Sequence, residues 1–289
     1  FTALLDHCMS IIHLYGWPHR MDIIYPLKNN HEETLQLLMH SRSIFNHPIF
    51  TLGALAAFMY ALICLMFWSM TTTEVLGINA FIKPAKFGVS TSILFLTFSW
   101  YSNFIPRVKR KSFQRFVWLN VGVMAFELIW IFIQASRGSL SHFNTSSTFE
   151  GVMFALMGIG IATSTSWTLL LFKWTFRSDF RMHPGILWSL RFGILYFVLF
   201  GFSGFIMGAS LSHTVGSPDG GLSLPILNWS LEYGDLRIPH FLGLHALQLL
   251  PLIAHITKMK GLGAIILSLI YGMTCMSLLY VVLQGNSPF

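Results

Sequence analysis

Charge is what this sequence has least of: only 10% of its 289 residues are Asp, Glu, Lys or Arg, against about a quarter in a soluble domain. With 54% hydrophobic residues and a mean hydropathy of +0.63, the chain is excluded from the soluble globular class, and lipid is the solvent expected for most of it. Acidic residues are the scarcer sign, 11 against 18 basic, for a net charge of +7. The basic residues are interspersed with 27 Phe and 9 Trp in apolar runs. That pattern excludes a nucleic-acid surface and fits loops facing anionic lipid. Cysteine is nearly absent: Cys8, Cys64 and Cys275 stand alone, so neither a disulfide framework nor a CxxC motif exists, and all three read as small core residues. Long repeats, low-complexity tracts and a signal-peptide pattern at Phe1 are also missing.

What is present is a series of apolar runs. A membrane helix needs roughly 20 apolar residues to cross about 30 Å of hydrocarbon, and seven segments meet or approach that length, near 49–70, 84–105, 116–136, 151–173, 186–211, 240–257 and 262–284. The sixth is the shortest and contains Pro251, so a kink or irregularity is expected there. The fold class is therefore all-α, a polytopic membrane bundle of about seven transmembrane helices. Lys and Arg accumulate on the cytoplasmic side, and alternate loops differ sharply in them. Arg20, Lys28, Arg42, the run Arg107, Lys109, Arg110, Lys111, Arg115, then Lys173, Arg177, Arg181, Arg191, Lys258 and Lys260 make fourteen on one side, against Lys83, Lys86, Arg137 and Arg237 on the other. Seven spans with a cytoplasmic N-terminus and an outer C-terminus follow.

Residues 1–48 form a separate cytoplasmic or interfacial segment before the transmembrane domain at 49–289. Leu4, Leu5, Cys8, Ile11, Ile12 and Tyr15 share one helical face up to Gly16-Trp17-Pro18, and a second short helix is expected after Asn30. His7, His13 and His19 recur every six residues, a spacing that turns each by about 240° on a helix and denies them a common face.

Polar residues gather where the topology puts the outer boundary. Asn79-Ala80-Phe81-Ile82-Lys83-Pro84-Ala85-Lys86-Phe87 enters the second span, Gln134 to Asn144 leaves the third, and Tyr233 to Gln248 enters the sixth. Glu127 lies nine residues, roughly 13 Å, below the outer end of the third span, and a long Lys86 side chain can reach it. An uncompensated charge in a bilayer is costly, so Lys86 and Glu127 are expected partners on a polar route that includes His245. The alternative is that Lys86 snorkels to the interface and Glu127 is protonated or bonded to a neighbouring helix.

His245 falls a turn inside the sixth span with Gln248 three residues on, nearly on the same face. His240 is about 140° away from His245 on an ideal helix, so that pair alone does not chelate one ion, but His142 and His213 can bring nitrogens from neighbouring loops. Imidazoles so placed suit zinc, copper or haem iron. The leading expectation is a metal or haem cofactor on His142, His240 and His245, with Arg137 and Arg237 neutralising propionates or an anionic substrate and Gln248 supporting a ligand. A redox or electron-transfer role follows from it. The competing reading of His245 and Gln248 is an interhelical hydrogen-bonded network. Stacked haems through His255 lack an axial partner other than His183; Thr163-Ser164-Thr165-Ser166 and Met153 with Met157 read as packing.

The strings NAxxKPxKF, RGxxSHFN and HFxGLHxxQxLP resemble those of a family of bacterial multi-pass membrane proteins. The resemblance covers most of the spans and implies a polytopic fold in a bacterial inner membrane; it implies no activity. Microbial rhodopsins need a lysine midway in the last span, where Tyr271-Gly272-Met273-Thr274-Cys275 supplies none. Seven-helix zinc hydrolases of the ceramidase type need an HxxxH pair in a late span, and His240 to His245 is spaced wrongly. Two further expectations stand beside the cofactor: a transporter or channel along the polar route, or a subunit that packs against a membrane partner or a second copy of itself.

Overall fold

The structure, a computed structural model, describes residues 44–289. The amphipathic segment at 1–48, with His7, His13 and His19, lies outside the described residues apart from its last five positions. Among the described residues seven α-helices follow one another: α1 Pro48–Met70, α2 Ile82–Tyr101, α3 Arg110–Ser136, α4 Thr148–Trp174, α5 Pro184–Ser210, α6 Arg237–Ile256 and α7 Gly261–Leu283. Each coincides with one expected segment. The largest differences are the start of α3, six residues earlier than the apolar run, and the end of α2, where two 3-10 turns at Ser102–Phe104 and Arg107–Lys109 flank Pro106. Proline disfavours helical backbone in the residue before it, and α2 stops accordingly.

Five of the seven helices are long and apolar enough to cross a membrane: α1, α3 with the turn before it, α4, α5 and α7. The two that fall short are α2, which carries Lys83 and Lys86 in its first turns, and α6, which carries Arg237, His240, His245 and Gln248.

Two short antiparallel hairpins complete the fold. β1 Glu74–Val75 pairs with β2 Ile78–Asn79, and β3 Thr214–Val215 pairs with β4 Gly234–Asp235. The turn between β1 and β2 puts Leu76 and Gly77 both at positive φ, 54° and 76°, the backbone that matches a two-residue hairpin to the strand twist. Contacts between the hairpins and the chain ends show that successive helices alternate in direction. Asn228 Nδ2 donates to Leu76 O at 3.4 Å, and Tyr233 bridges to Asn286 after α7. We call this the hairpin end. At the other end Asn46 Nδ2 donates to Ser102 Oγ at 2.7 Å. By the alternation of the helices, the basic residues at 107–115, 173–181 and 258–260 fall at that end.

Helices of one apolar surface in lipid cannot rely on the hydrophobic effect to find each other, so small residues let backbones approach. On α1 the buried positions Ala54, Ala57, Ala61 and Cys64 recur every three or four residues, and Ala57 and Ala61 pack against Gly88 of α2. On α5, Gly193 lies so close to α6 that a Cβ there would meet the Ala246 carbonyl oxygen at 2.8 Å. At the basic end Phe50, Phe98, Phe113 and Phe116 fill the space between α1, α2 and α3.

The expected irregularity at Pro251 is absent, because α6 runs through it as one helix. Pro251 has no N–H to give the Leu247 carbonyl four residues earlier. The Tyr101 hydroxyl of α2, fully buried, donates to that oxygen at 2.7 Å. A buried acceptor left without a partner costs about 1–3 kcal/mol. Tyr101→Phe is therefore expected to lower stability by about that amount, read as a lower midpoint of thermal unfolding in detergent. An unchanged midpoint would show that the bond between α2 and α6 contributes nothing.

Candidate binding site

The three polar stretches are built by local hydrogen bonds before they meet. Asn79 accepts from Phe81 N at 3.0 Å through Oδ1 and donates to Thr71 O at 2.6 Å through Nδ2, which turns the chain from β2 into α2. The end of α3 is clamped to the start of α4 by Glu150. Ser147 caps α4 by accepting from Glu150 N at 3.2 Å, and the Glu150 carboxylate receives Gln134 Nε2, Asn144 Nδ2 at 3.2 Å and Arg137 Nη1 at 3.4 Å. This clamp holds the connection that carries His142. At the start of α6, Asp235, with no exposed surface, accepts from Arg237 Nε at 2.9 Å, from Arg237 Nη2 at 2.6 Å and from Ser230 N at 2.8 Å.

Between α2, α3, α4, α5 and α6 these stretches line a cavity of about 480 Å³, within the range of small-molecule sites. Its walls are mainly apolar, with Phe87, Met124, Phe154, Met157 and Leu244 prominent, and loops from both hairpins cover its end. His142, His240, His245, Arg237 and Gln248 all line it, as do Lys86 and Glu127. Thus the three polar stretches converge on one space.

Their roles differ from those expected. Arg137 does not reach the cavity: its side chain is 56% exposed and pairs with Glu150. Arg237 is committed to Asp235 and to the Asn228 carbonyl. Lys86 is not the partner of Glu127. Its Nζ donates to Ile226 O at 2.8 Å and Leu227 O at 3.1 Å, because the loop after α5 folds across the first turns of α2. The cation in electrostatic reach of Glu127 is instead Lys83, also on the cavity wall. Lys83 and Lys86 are three residues apart and share a helical face, so the sequence held the signal; the position of Lys83 at the very start of α2 concealed it. Asp219 was also missed. It receives His213 Nδ1 at 2.6 Å and the backbone N–H of Thr214 at 2.9 Å, a loop contact without any periodic signature.

The histidines are held separately. His240 Nδ1 donates to Phe200 O at 2.6 Å, and its ring lies against Gly204. His245 packs edge-on against Phe241, ring centres 4.2 Å apart, beside Gln248. His142 Nδ1 lies 3.1 Å from Ser141 Oγ, and its Nε2 is 3.8 Å from Glu127 Oε2, beyond hydrogen-bond length. Among the described residues no three His, Cys, Asp or Glu side chains come together in a group that could hold a metal ion.

Glu127 is the outlier of the site. Its side chain is 2% exposed and both carboxylate oxygens are buried without a hydrogen-bond partner. Lys83 makes no hydrogen bond and no ion pair within 4.0 Å among the described residues. An acidic and a basic side chain therefore face one cavity without touching.

Comparison of the chain with protein-family models, curated proteins and solved structures finds no match.

Burial, with the positive charge of Lys83, holds the His142 imidazole well below its ordinary 6.5. Burial likewise lowers His213, against the opposing pull of Asp219. Burial would raise Asp219, but the hydrogen bonds from His213 and Thr214 outweigh it and keep the carboxyl below the usual range. Both imidazoles are thus neutral when folded near pH 7. As pH falls below about 6.5 the unfolded chain binds protons that the folded chain refuses, so stability falls with it. The unfolding midpoint is expected to drop between pH 7 and pH 5, and His142→Gln to flatten that slope. An equal slope in the variant would remove His142 from the titration.

Proposed function

We propose that this chain is a seven-span membrane protein that binds a small, largely apolar solute in the interhelical cavity and carries it across a bacterial inner membrane. The observation that carries the reading is Glu127, a buried carboxylate without a partner, facing an apolar cavity of about 480 Å³ with the unpaired Lys83 on its wall. Charged residues inside a membrane are costly and mark solute or ion pathways. The polar route so defined comprises Lys83, Glu127, His245 and Gln248, with Lys86 serving the loop above it. The cofactor reading has less support: Arg137 lies outside the cavity, Arg237 already has a carboxylate, and the histidines are spread over separate contacts.

Seven spans require α2 and α6 to cross as well. Their polar residues lie on the cavity side, where protein rather than lipid surrounds them. Of the four basic residues at the hairpin end, Lys86, Arg137 and Arg237 are tied to protein acceptors, whereas the basic end holds Arg107 to Arg115 and its neighbours, the arrangement expected of a cytoplasmic face. A reporter active only outside the cytoplasm, fused after Phe289, is expected to be active; activity only with a cytoplasmic reporter would overturn the orientation.

Transport is tested in proteoliposomes exposed to a mixture of small metabolites, with the lumen read by mass spectrometry. At least one solute is expected to enter with the wild type and to fall at least tenfold with Glu127→Gln. Equal contents in wild-type, variant and protein-free vesicles for every solute would overturn the proposal.

A further inference from the structure

The balance of charge around the cavity narrows the class of solute. Every titratable group facing Glu127 can be placed. Lys83 and Lys86 come from α2, His142 from the α3–α4 connection, His213 from the loop after α5, and Arg237, His240 and His245 from α6. The residues of α4 and α5 that line the cavity carry no charge. Tyr60 of α1 is spent on the Leu128 carbonyl behind α3, at 2.8 Å.

Most of these groups are already matched. Arg237 is neutralised by Asp235, Lys86 is held by two carbonyl oxygens, His213 is bonded to Asp219, and His240 is bonded to Phe200 O. Subtracting them leaves two imidazole rings, His142 beside Ser141 Oγ and His245 against Phe241, and one amine and one carboxyl, Lys83 and Glu127, each without a hydrogen-bonded partner among the described residues. They are not each other's contact, and they sit at different depths. Lys83 is the second residue of α2 at the hairpin end, while Glu127 lies nine residues below the end of α3, roughly 13 Å before side chains are considered.

Resting on the transport reading above, we infer that the solute is a small net-neutral zwitterion with an apolar body, its anionic group on Lys83 and its ammonium on Glu127. A simple anion would satisfy Lys83 and leave the carboxylate of Glu127 buried beside a like charge. A simple cation would do the reverse. An uncharged molecule would leave both. Only a ligand bearing both signs completes the site, and breaking either half of a buried charge pair is the costly event. His142, 3.8 Å from Glu127, adds a neutral ring beside the ammonium position. The remaining wall, with Met124, Phe154 and Met157, takes the apolar body. The same chemistry is offered by a free amino acid with a large apolar side chain and by the headgroup of a phosphatidylethanolamine lipid.

Three matched probes separate the charges: phenylalanine, 3-phenylpropionate, which lacks the amine, and 2-phenylethylamine, which lacks the carboxylate. Binding is read by calorimetry and thermal shift on the purified full chain in nanodiscs of phosphatidylglycerol. Phenylalanine is expected to bind at least tenfold more tightly than either single-charge probe. Glu127→Gln should remove its advantage over 3-phenylpropionate, and Lys83→Met its advantage over 2-phenylethylamine, with helical circular dichroism unchanged in both. Native mass spectrometry of protein moved into phosphatidylethanolamine nanodiscs reads the lipid arm. Retention of that lipid, lost in either variant, supports the same two-point site with a lipid source. If a single-charge probe binds as tightly as phenylalanine, or a metabolite that is not a zwitterion is the solute carried, the zwitterion inference is overturned and the transport reading stands. If no probe, lipid or metabolite interacts, both are overturned.

Discussion

A carboxylate cannot remain uncompensated inside a bundle of apolar helices, and Glu127 is placed in that position, 1% exposed on α3 with Met124, Leu128 and Ile131 as its buried neighbours along the helix. The cost of desolvating one ion runs to several kcal/mol. A fold that keeps such a residue must surround it with polar atoms or leave room for them. Here room is left. The cavity beside Glu127 is lined by five helices, and the basic side chains on its wall come from α2 and α6, the two helices too polar to qualify as membrane spans by composition. The departure from apolarity is concentrated on the side of those helices that faces the cavity.

The loops at the hairpin end then act as a frame. Each of the three polar stretches spends part of its polar groups on fixing its own backbone: Asn79 on the start of α2, Gln134 and Asn144 on Glu150, Arg237 on Asp235. Only after those bonds are counted do the residues facing the cavity stand out. A motif read as a single unit mixes these two kinds of residue. Arg137 and Lys86 look functional in the sequence because they are charged and near the boundary, yet one closes the α3–α4 clamp and the other fastens the loop at Ile226 and Leu227.

Much of the architecture was legible because its cause is local. Apolar runs of about twenty residues specify helices through the thickness of hydrocarbon alone, and all seven expected segments coincide with helices of the structure. The convergence of the outer stretches was partly legible too, since alternating helices place every second connection at one end. Partner choice was not. Depth along a helix put Lys86 within reach of Glu127, but the contact that captures Lys86 comes from a loop 140 positions away in the chain, which no periodicity encodes. The same holds for Asp219, whose bond to His213 depends on how the loop after α5 closes.

Pro251 shows how the polar helices are kept in place. Inside a bundle the carbonyl freed by proline must find a donor, since lipid offers none. Leu247 O receives the Tyr101 hydroxyl of α2, and one turn and a half earlier Leu242 O receives the Tyr271 hydroxyl of α7 at 2.6 Å. So α6 is held from two sides through its own backbone, while Gly193 and Ala246 bring it against α5. These attachments lie along the same helix that presents His240, His245 and Gln248 to the cavity. A helix with four polar residues facing inward gains little from lipid, and its position is set by hydrogen bonds to neighbours instead. That makes α6 the element through which the state of the cavity and the packing of α2, α5 and α7 are physically joined.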